Sequence, residues 1–289
     1  MDSTRWAFER QQQVVFGVRS KSKIHAFSIV YNAPMPIQER TFRSEAIVLS
    51  HKNWGEADRI LWLYTHKLGK VQAIAKGVRK MRSRKAGHLE PFTCSNIMFA
   101  RGRSFLIITQ AETIAPFLEL REDLLLVSYA AYIVELLDRF TYQEDENRLI
   151  YQLLKDTLTR IDDETTPYLA VRYFEIHLLD LLGYKPELTN CINCDRLIQA
   201  ENQFFSNSLG GVVCPGCGPR VQDARPISMN ALKYLRHFQR SSYRETSRAQ
   251  LSPELNQELE QLMQRYITYQ LERNLNTPAF ISRVKGKPG

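Results

Sequence analysis

Four cysteines in the C-terminal half of the chain have the types and spacing of a metal site. They form two Cys-x-x-Cys pairs, Cys191 with Cys194 and Cys214 with Cys217, and nineteen residues separate the pairs. Each pair offers two thiolates from one turn, and four thiolates complete the tetrahedral set that Zn²⁺ prefers. Because four protein ligands leave no open position for water, the pattern predicts one structural zinc ion per chain. A pair of disulfides is the competing interpretation, which a reducing cytosol disfavours.

A stretch without acidic residues lies in the N-terminal half. No Asp or Glu occurs between Asp58 and Glu90, whereas Lys and Arg are frequent there. Such a run binds a phosphate backbone by releasing condensed counterions, or it is a solvated loop that only keeps the chain soluble. The first alternative predicts contacts that do not depend on base sequence. Its candidate residues are Lys67, Lys70, Lys76, Arg79, Lys80, Arg82, Arg84 and Lys85.

The segments around this stretch have the length and composition of β-strands. Five short runs rich in β-branched and aromatic residues lie between residues 45 and 111. So few strands favour closure into a small barrel, since closure removes exposed edges. The usual five-stranded barrel is the OB-fold, a frequent binder of single-stranded nucleic acid. Candidates for base stacking, or else for the barrel core, are Trp54, Trp62, Tyr64, Phe99 and Phe105.

After Pro116 the hydrophobic period changes from 2 to about 3.6 residues, which predicts helices. We expect them over residues 121–140, 146–160, 165–182, 228–238 and 252–274. Ser252 followed by Pro253 is a typical helix start. Between the cysteine pairs, residues 202–206 and 210–213 predict the hairpin of a zinc ribbon. Two other residues of chemical interest, Cys94 and His177, are interpreted as buried structural side chains.

The fold class expected is therefore α+β multidomain, an N-terminal OB-fold β-barrel followed by an all-α domain with an inserted zinc ribbon. The chain has 289 residues, 44% of them hydrophobic, and a net charge of +8, which favours acidic partners. We expect a poorly ordered extension over residues 1–40, the barrel over 41–118, the helical domain over 119–280 with its ribbon at 188–222, and a flexible tail over 281–289.

The sequence contains little that indicates catalysis or a membrane location. His88-Leu89-Glu90 matches the first half of a zinc-deaminase signature, but Val213 and not proline precedes Cys214. No glycine-rich nucleotide loop, Gly-x-Ser-x-Gly elbow or carboxylate pair is present, so we do not expect an enzyme. There is no run of eighteen apolar residues and no secretory h-region near the N-terminus, so a cytoplasmic protein is expected.

Several strings together resemble the RecO family of bacterial recombination mediators. The resemblance covers residues 42–280, and the N-terminal extension departs from the family pattern. The strings that carry it are Glu45-Ala-Ile-Val-Leu49, Gly55-Glu-Ala-Asp-Arg-Ile60, Thr65-His-Lys-Leu-Gly-Lys-Val71, Ala75-Lys-Gly-Val-Arg-Lys80 and Leu182-Gly-Tyr-Lys-Pro186, which leads into the four cysteines.

The resemblance implies an OB-fold, a helical domain with a zinc ribbon, and binding to single- and double-stranded DNA at the nucleoid. It also implies annealing of complementary strands and joint action with RecR in loading RecA onto strands coated by single-strand-binding protein. The C-terminal tail of that protein is expected to dock on the helical domain. Two alternatives from other classes stay open: a zinc-ribbon factor that binds RNA, and a scaffold that joins proteins without touching nucleic acid.

Overall fold

The computed structural model describes residues 40–163 and 166–286. The expectation for the N-terminal extension lies outside these ranges, except at Arg40. Within the described ranges, no helix combines the length and hydropathy needed to cross a lipid bilayer. The order of elements is a five-stranded sheet, four helices, a small three-stranded sheet and four more helices.

The first five strands form the expected barrel. Strand β1 pairs with β2 on one side and with β4 on the other, so the order β1-β2-β3-β5-β4 closes on itself. All neighbours are antiparallel except β3 and β5. This OB-like arrangement followed by helices confirms the fold class predicted from the sequence. The strands are β1 (Thr41–Trp54), β2 (Asp58–Thr65), β3 (Gly69–Ala75), β4 (Cys94–Arg101) and β5 (Leu106–Ala115).

Successive side chains along the strands point to opposite faces, and this divides the buried ones between two hydrophobic cores. Along β1, Ala46 and Val48 face the interior of the barrel, where Leu61 and Leu63 of β2 also lie. Ile47 points the other way and belongs to the core of the helical part. This follows from the period of 2 in a strand, because successive side chains point to opposite faces. One strand thus contributes to both cores.

The helical part begins directly after β5. Helix α2 starts at Leu124 and not at residue 121, because Asp123 is extended and its carboxylate accepts hydrogen bonds from the N–H groups of Leu125 and Leu126. A separate short helix precedes it. The helices are α1 (Leu118–Glu122), α2 (Leu124–Phe140), α3 (Arg148–Asp163), α4 (Pro167–Leu181), α5 (Met229–Arg240), α6 (Tyr243–Thr246), α7 (Pro253–Leu271) and α8 (Thr277–Val284).

Helix α8 corrects the expectation of a flexible tail after residue 280. Ile281 is buried, and the Lys285 ammonium lies 2.9 Å from a carboxylate oxygen of Glu260 in α7. The ribbon hairpin forms as expected, and a third strand that the sequence did not indicate pairs with its first strand. These strands are β6 (Gln203–Ser206), β7 (Gly211–Val213) and β8 (Arg225–Ile227).

Polar contacts join the barrel to the helices. The Glu45 carboxylate of β1 accepts hydrogen bonds from the Tyr151 hydroxyl at 3.1 Å and the Lys155 ammonium at 2.9 Å. Helped by these donors, mainly Lys155, the pKa of Glu45 lies below its usual value. Arg121 donates to the Pro91 carbonyl at 2.9 Å. The barrel and the helical part are therefore in direct contact.

Candidate nucleic-acid interface and metal centre

The last part of the acid-free stretch belongs to the connection between β3 and β4, residues 76–93. The first part of this connection is tied to the turn between β1 and β2. The Arg79 N–H donates to the Ala57 carbonyl at 2.9 Å, and the Gly77 N–H donates to the Asp58 carboxylate at 2.7 Å. Turns inside the connection close through Lys80 and Ser83, whose N–H groups donate to carbonyls three residues earlier. The connection is thus held against the barrel from its start.

Five of the predicted phosphate-binding residues lie together in this connection. All five are exposed, and none of them pairs with a carboxylate among the residues that the structure describes. We call this group the basic loop. It consists of Lys76, Arg79, Lys80, Arg82 and Arg84.

Lys67 is also exposed but lies elsewhere. It belongs to the turn between β2 and β3, whereas the basic loop leaves the other end of that hairpin. Thr65 pairs with Gly69 at one end, and Arg59 pairs with Ala75 at the other. Six residue steps at about 3.3 Å put roughly 20 Å between the two ends. The structure therefore does not bring Lys67 together with the basic loop.

Lys70 and Lys85 are corrections to the predicted set, because their ammonium groups are used inside the protein. Lys70 is buried, and its Nζ lies 2.7 Å from the Asp138 carbonyl and 3.1 Å from the Asp138 carboxylate. The Lys85 Nζ donates to the carbonyls of Lys76 and Ile108 at 3.1 and 3.0 Å. Burial lowers the pKa of Lys85. Both ammonium groups therefore have hydrogen-bond partners within the protein.

Two further cations of the barrel lie outside the predicted set. Arg101 and Arg103 flank the turn between β4 and β5 and are exposed. β5 runs parallel to β3, with Leu106 opposite Ala73, so the turn before Leu106 lies alongside the part of β3 that precedes Ala73 and points away from the end of β3, where the basic loop begins. The strand pairing therefore does not place these two cations in the basic loop.

The aromatic candidates divide by exposure. Tyr64 and Phe99 are fully buried, and Trp62 is half-buried. Trp54 is 55% exposed and Phe105 is 42% exposed. Most of the five therefore contribute to packing, and the two exposed rings lie at different turns, Trp54 at that between β1 and β2 and Phe105 at that between β4 and β5.

The four cysteines of the ribbon converge on one point. Their Sγ atoms all lie within 4.8 Å of one another, and those of Cys194 and Cys214 are 3.8 Å apart. Zn–S bonds of about 2.3 Å in a tetrahedron place the sulfurs about 3.8 Å apart, so this arrangement fits zinc. No disulfide joins these cysteines, which carry free thiols. The geometry favours the metal over the disulfide interpretation.

The backbone shapes each pair of cysteines as a zinc knuckle. The Cys191 carbonyl accepts from the N–H groups of Cys194 and Asp195, and the Cys214 carbonyl accepts from those of Cys217 and Gly218. The Cys214 N–H also donates to the Cys191 Sγ at 3.3 Å. Although burial opposes it, donation from backbone N–H groups lowers the pKa of the Cys191 thiol to about 6. A thiolate is the form that binds a metal.

A second basic feature lies on helix α5. A groove of about 630 Å³ runs beside this helix, with apolar side chains at its base and cationic ones at its rim. Arg236 Nε donates to the Leu188 carbonyl at 2.7 Å, and Arg240 donates to the Thr189 hydroxyl at 3.0 Å. These contacts join the groove to the segment that leads into the first knuckle. The lining residues include Met229, Leu232, Lys233, Arg236, His237 and Arg240.

Comparison with known proteins gives a consistent result along the described chain. The sequence model of the family described as "Recombination protein O N terminal" matches residues 39–117, and that described as "Recombination protein O C terminal" matches residues 121–279. The chain is similar to a "DNA repair protein RecO" of Dehalococcoides mccartyi, with 41% identity over 80% of this chain and 91% of the relative.

Two further relatives of the same name come from other bacteria. The protein of a Roseiflexus species is 36% identical over 86% of this chain and 88% of its own length. That of a Thermoanaerobacter species is 32% identical over 85% of this chain and 99% of its own length. The similarity therefore spans both the barrel and the helical part.

Proposed function

Because the chain belongs to the RecO family of DNA repair proteins, we propose that it is a non-catalytic recombination mediator acting on DNA in the cytoplasm. In this role it binds single- and double-stranded DNA, anneals complementary strands, and helps RecR to load RecA onto strands coated by single-strand-binding protein. The observation that carries the proposal is the basic loop, five exposed cations without carboxylate partners among the described residues, held against an OB-like barrel.

The chemistry of the loop suits annealing. Arg and Lys side chains bind phosphate oxygens in any sequence, and annealing requires a protein that holds strands without reading their bases. Lys67, Lys70 and Lys85 are left out of the proposed contact set because of their positions. If about four phosphates are neutralised on a single strand, log K against log salt has a slope near −3.

The loop is tested by the variant R79A/K80A/R82A/R84A. We expect weaker binding to single-stranded DNA and a salt slope close to zero, measured by fluorescence anisotropy at several ionic strengths. K67A, which removes an exposed cation at the other end of the hairpin, is the matched control and should bind normally. Unchanged affinity in the quadruple variant would remove the basic loop from the mechanism.

The mediator role is tested by annealing complementary oligonucleotides that have been coated with single-strand-binding protein. The wild-type chain should accelerate annealing of the coated strands, and the quadruple loop variant should not. An RNA competitor added to the same reaction separates a DNA-specific protein from an RNA-binding one. Absence of any band shift with DNA or RNA would instead favour a scaffold.

For the tail of single-strand-binding protein, the groove on α5 is the best candidate in the described helical part. Its apolar base fits apolar side chains of a peptide, and its rim of Lys233, Arg236 and Arg240 fits carboxylates. The variant K233E/R240E reverses two exposed charges at the rim. It should lose binding to the tail peptide while retaining binding to DNA. Full retention of peptide binding would place the tail elsewhere.

The four cysteines would hold one zinc ion per chain, and a closed set of thiolates stabilises the ribbon without taking part in chemistry. Purified protein should contain about one equivalent of zinc by mass spectrometry of metals. C214S should lose the metal and unfold at a lower temperature, whereas C94A removes a buried thiol outside the cluster and should keep the metal. A metal-free preparation that is normally folded would refute the structural zinc.

A further inference from the structure

Trp54 lies at the tip of the hairpin that β1 and β2 form, and its position is unusual for a large apolar side chain. The ring is 55% exposed, although a tryptophan is normally covered by other groups. It is the last residue of β1 and pairs across the hairpin with Asp58. The tip is therefore held by strand pairing up to the residue that carries the ring.

The same tip is joined to the basic loop by hydrogen bonds. The Asp58 carboxylate accepts from the Gly77 N–H at 2.7 Å, and the Ala57 carbonyl accepts from the Arg79 N–H at 2.9 Å. The Arg79 guanidinium also donates to the carbonyl of Gly55, the residue after Trp54, at 3.3 Å. The exposed ring is thus held beside the start of the basic loop, where Arg79 lies.

We propose that Trp54 is a stacking platform for a base of single-stranded DNA whose flanking phosphates are held by the basic loop. The inference rests on the proposed function and adds a base contact to it. An aromatic face stacks on any base, so the contact keeps the sequence independence that annealing requires. Phosphate contacts alone give no preference for unpaired bases, because each strand of a duplex carries the same phosphates as a single strand.

Stacking on Trp54 supplies that preference. In a duplex the bases are already stacked on one another, so the ring gains no partner there, whereas an unpaired base exposes its face. Arg79 is positioned to bind the phosphate next to a base that lies on Trp54, since it contacts the same turn.

Glu56 is the one acidic residue of this turn, and its exposed carboxylate would repel the phosphates of a strand bound there. E56Q should therefore bind single strands more tightly than the wild type.

The central experiment compares W54A with the wild-type chain on an oligothymidylate and on a duplex of the same length. Loss of one stacked base weakens single-strand binding by roughly 5- to 150-fold. The salt slope should stay near −3 because the basic loop is intact, and the affinity for the duplex should change by less than about twofold. W54F retains an aromatic face and should recover most of the lost affinity.

Two controls make the result specific. An oligonucleotide with abasic sites keeps its phosphates but offers no base to the ring, so the wild type should bind it about as weakly as W54A binds the oligothymidylate. Y142A removes another exposed aromatic ring, which is 81% exposed in the helical part next to acidic residues, and should bind normally. Circular dichroism of W54A should match that of the wild type.

The outcomes separate the stacking site from the proposed function. Equal affinity of W54A and wild type for the oligothymidylate, with the loop variant still impaired, would overturn the stacking site and leave the mediator proposal standing. A parallel loss of single-strand and duplex binding in W54A would also overturn it, since that result indicates a general disturbance of the basic loop. If the wild type binds neither DNA, both proposals fail.

Discussion

Lys70 and Lys76 belong to one short stretch of sequence, yet their charges have different uses. Lys76 projects from the basic loop into solvent, whereas the Lys70 ammonium is buried against Asp138 of α2. A buried ammonium is stable only when its donors are paired, so Lys70 joins the barrel to a helix. The difference lies in the partner that tertiary structure supplies and not in the residue type.

The first prediction follows from this difference. K70A should lower the free energy of unfolding by about 1 to 2 kcal/mol, because Asp138 loses a charged hydrogen-bond partner although it is itself half exposed. K67A, three residues away and exposed, should leave that free energy unchanged within about 0.5 kcal/mol. Urea unfolding followed by circular dichroism measures both. Equal stability of the two variants would contradict a structural role for Lys70.

Glu175 of α4 shows how burial changes a single carboxyl group. It is fully buried, the Tyr132 hydroxyl donates to its Oε1 at 2.5 Å, and the Arg172 guanidinium lies 3.0 Å from its Oε2. Loss of solvent outweighs these favourable contacts and raises the pKa of Glu175 to about 7. The group therefore titrates near neutral pH in the folded protein and near pH 4.5 in the unfolded chain.

The second prediction concerns the pH dependence of stability. Between about pH 4.5 and 7 the folded state holds a proton on Glu175 that the unfolded state has lost, so folding loses free energy as the pH rises through this window. The contribution is fully present below pH 4.5. In E175Q it is absent, and the decline in unfolding free energy from pH 5 to pH 7.5 should be smaller. Parallel pH profiles for wild type and E175Q would contradict the raised pKa.

At the scale of elements, the helices with their own start signals were predictable and those stabilised from a distance were not. Ser252 and Pro253 begin α7 as the sequence indicated, and the Ser252 hydroxyl accepts from the Leu255 N–H. Helix α8 begins after Asn276, whose N–H and that of Thr277 both donate to the Glu135 carboxylate of α2. A cap supplied from α2 is not visible in the local sequence, and residues 281–289 were expected to form a flexible tail.

The candidate sites were likewise predictable only where the signal is local in the sequence. The four cysteines were recognisable because their spacing alone describes two knuckles, and the structure gathers their thiols. The run of basic residues was less informative, because it does not show which strand end each cation occupies. Lys67, for example, is separated from the basic loop by the length of β2 and β3.

The third prediction concerns the turn between β2 and β3. Gly69 has a positive φ of 64°, and a Cβ at this position would overlap the Asp145 carbonyl, which belongs to the segment between α2 and α3. G69A should therefore cost about 2 to 4 kcal/mol of unfolding free energy, from backbone strain and from the displaced segment.

G55A is the matched control for this effect. Gly55 also has a positive φ, of 55°, but a Cβ there would meet no atom within 4 Å. G55A should therefore lose only about 1 kcal/mol of unfolding free energy, from backbone strain. Chemical denaturation of both variants gives the comparison. Equal losses of unfolding free energy would mean that the segment around Asp145 moves aside without a free-energy cost.

At the scale of the whole molecule, the barrel and the helices share one hydrophobic core. Ile47, Leu49, Tyr64 and Cys94 come from barrel strands, yet their side chains are buried among residues of the helical part. The ribbon contributes to the same core through Val212 and Val213 of β7. A barrel separated from the helices would expose these side chains to water, which costs about 25 cal/mol of free energy per Å² of apolar surface.

The fourth prediction is that the described part of the chain unfolds in one cooperative transition. Tryptophan fluorescence of a W6F/W54F variant, which reports on Trp62 at the barrel surface that faces α2, and far-ultraviolet circular dichroism, which reports mainly on helices, should give coincident curves. A fragment of residues 39–117 alone should lack this transition and self-associate. Two separated transitions in the intact chain would show that the shared core contributes little.

The parallel pairing of β3 with β5 also has a consequence for biosynthesis. β1 leaves the ribosome first, but β4, its second neighbour, ends only at Arg101, and β5 must follow before β3 is covered. Until then the nascent chain presents unpaired strand edges, and its long-range pairings form slowly. We therefore expect the first hundred residues to depend on chaperones while translation continues, and the ribbon to form later.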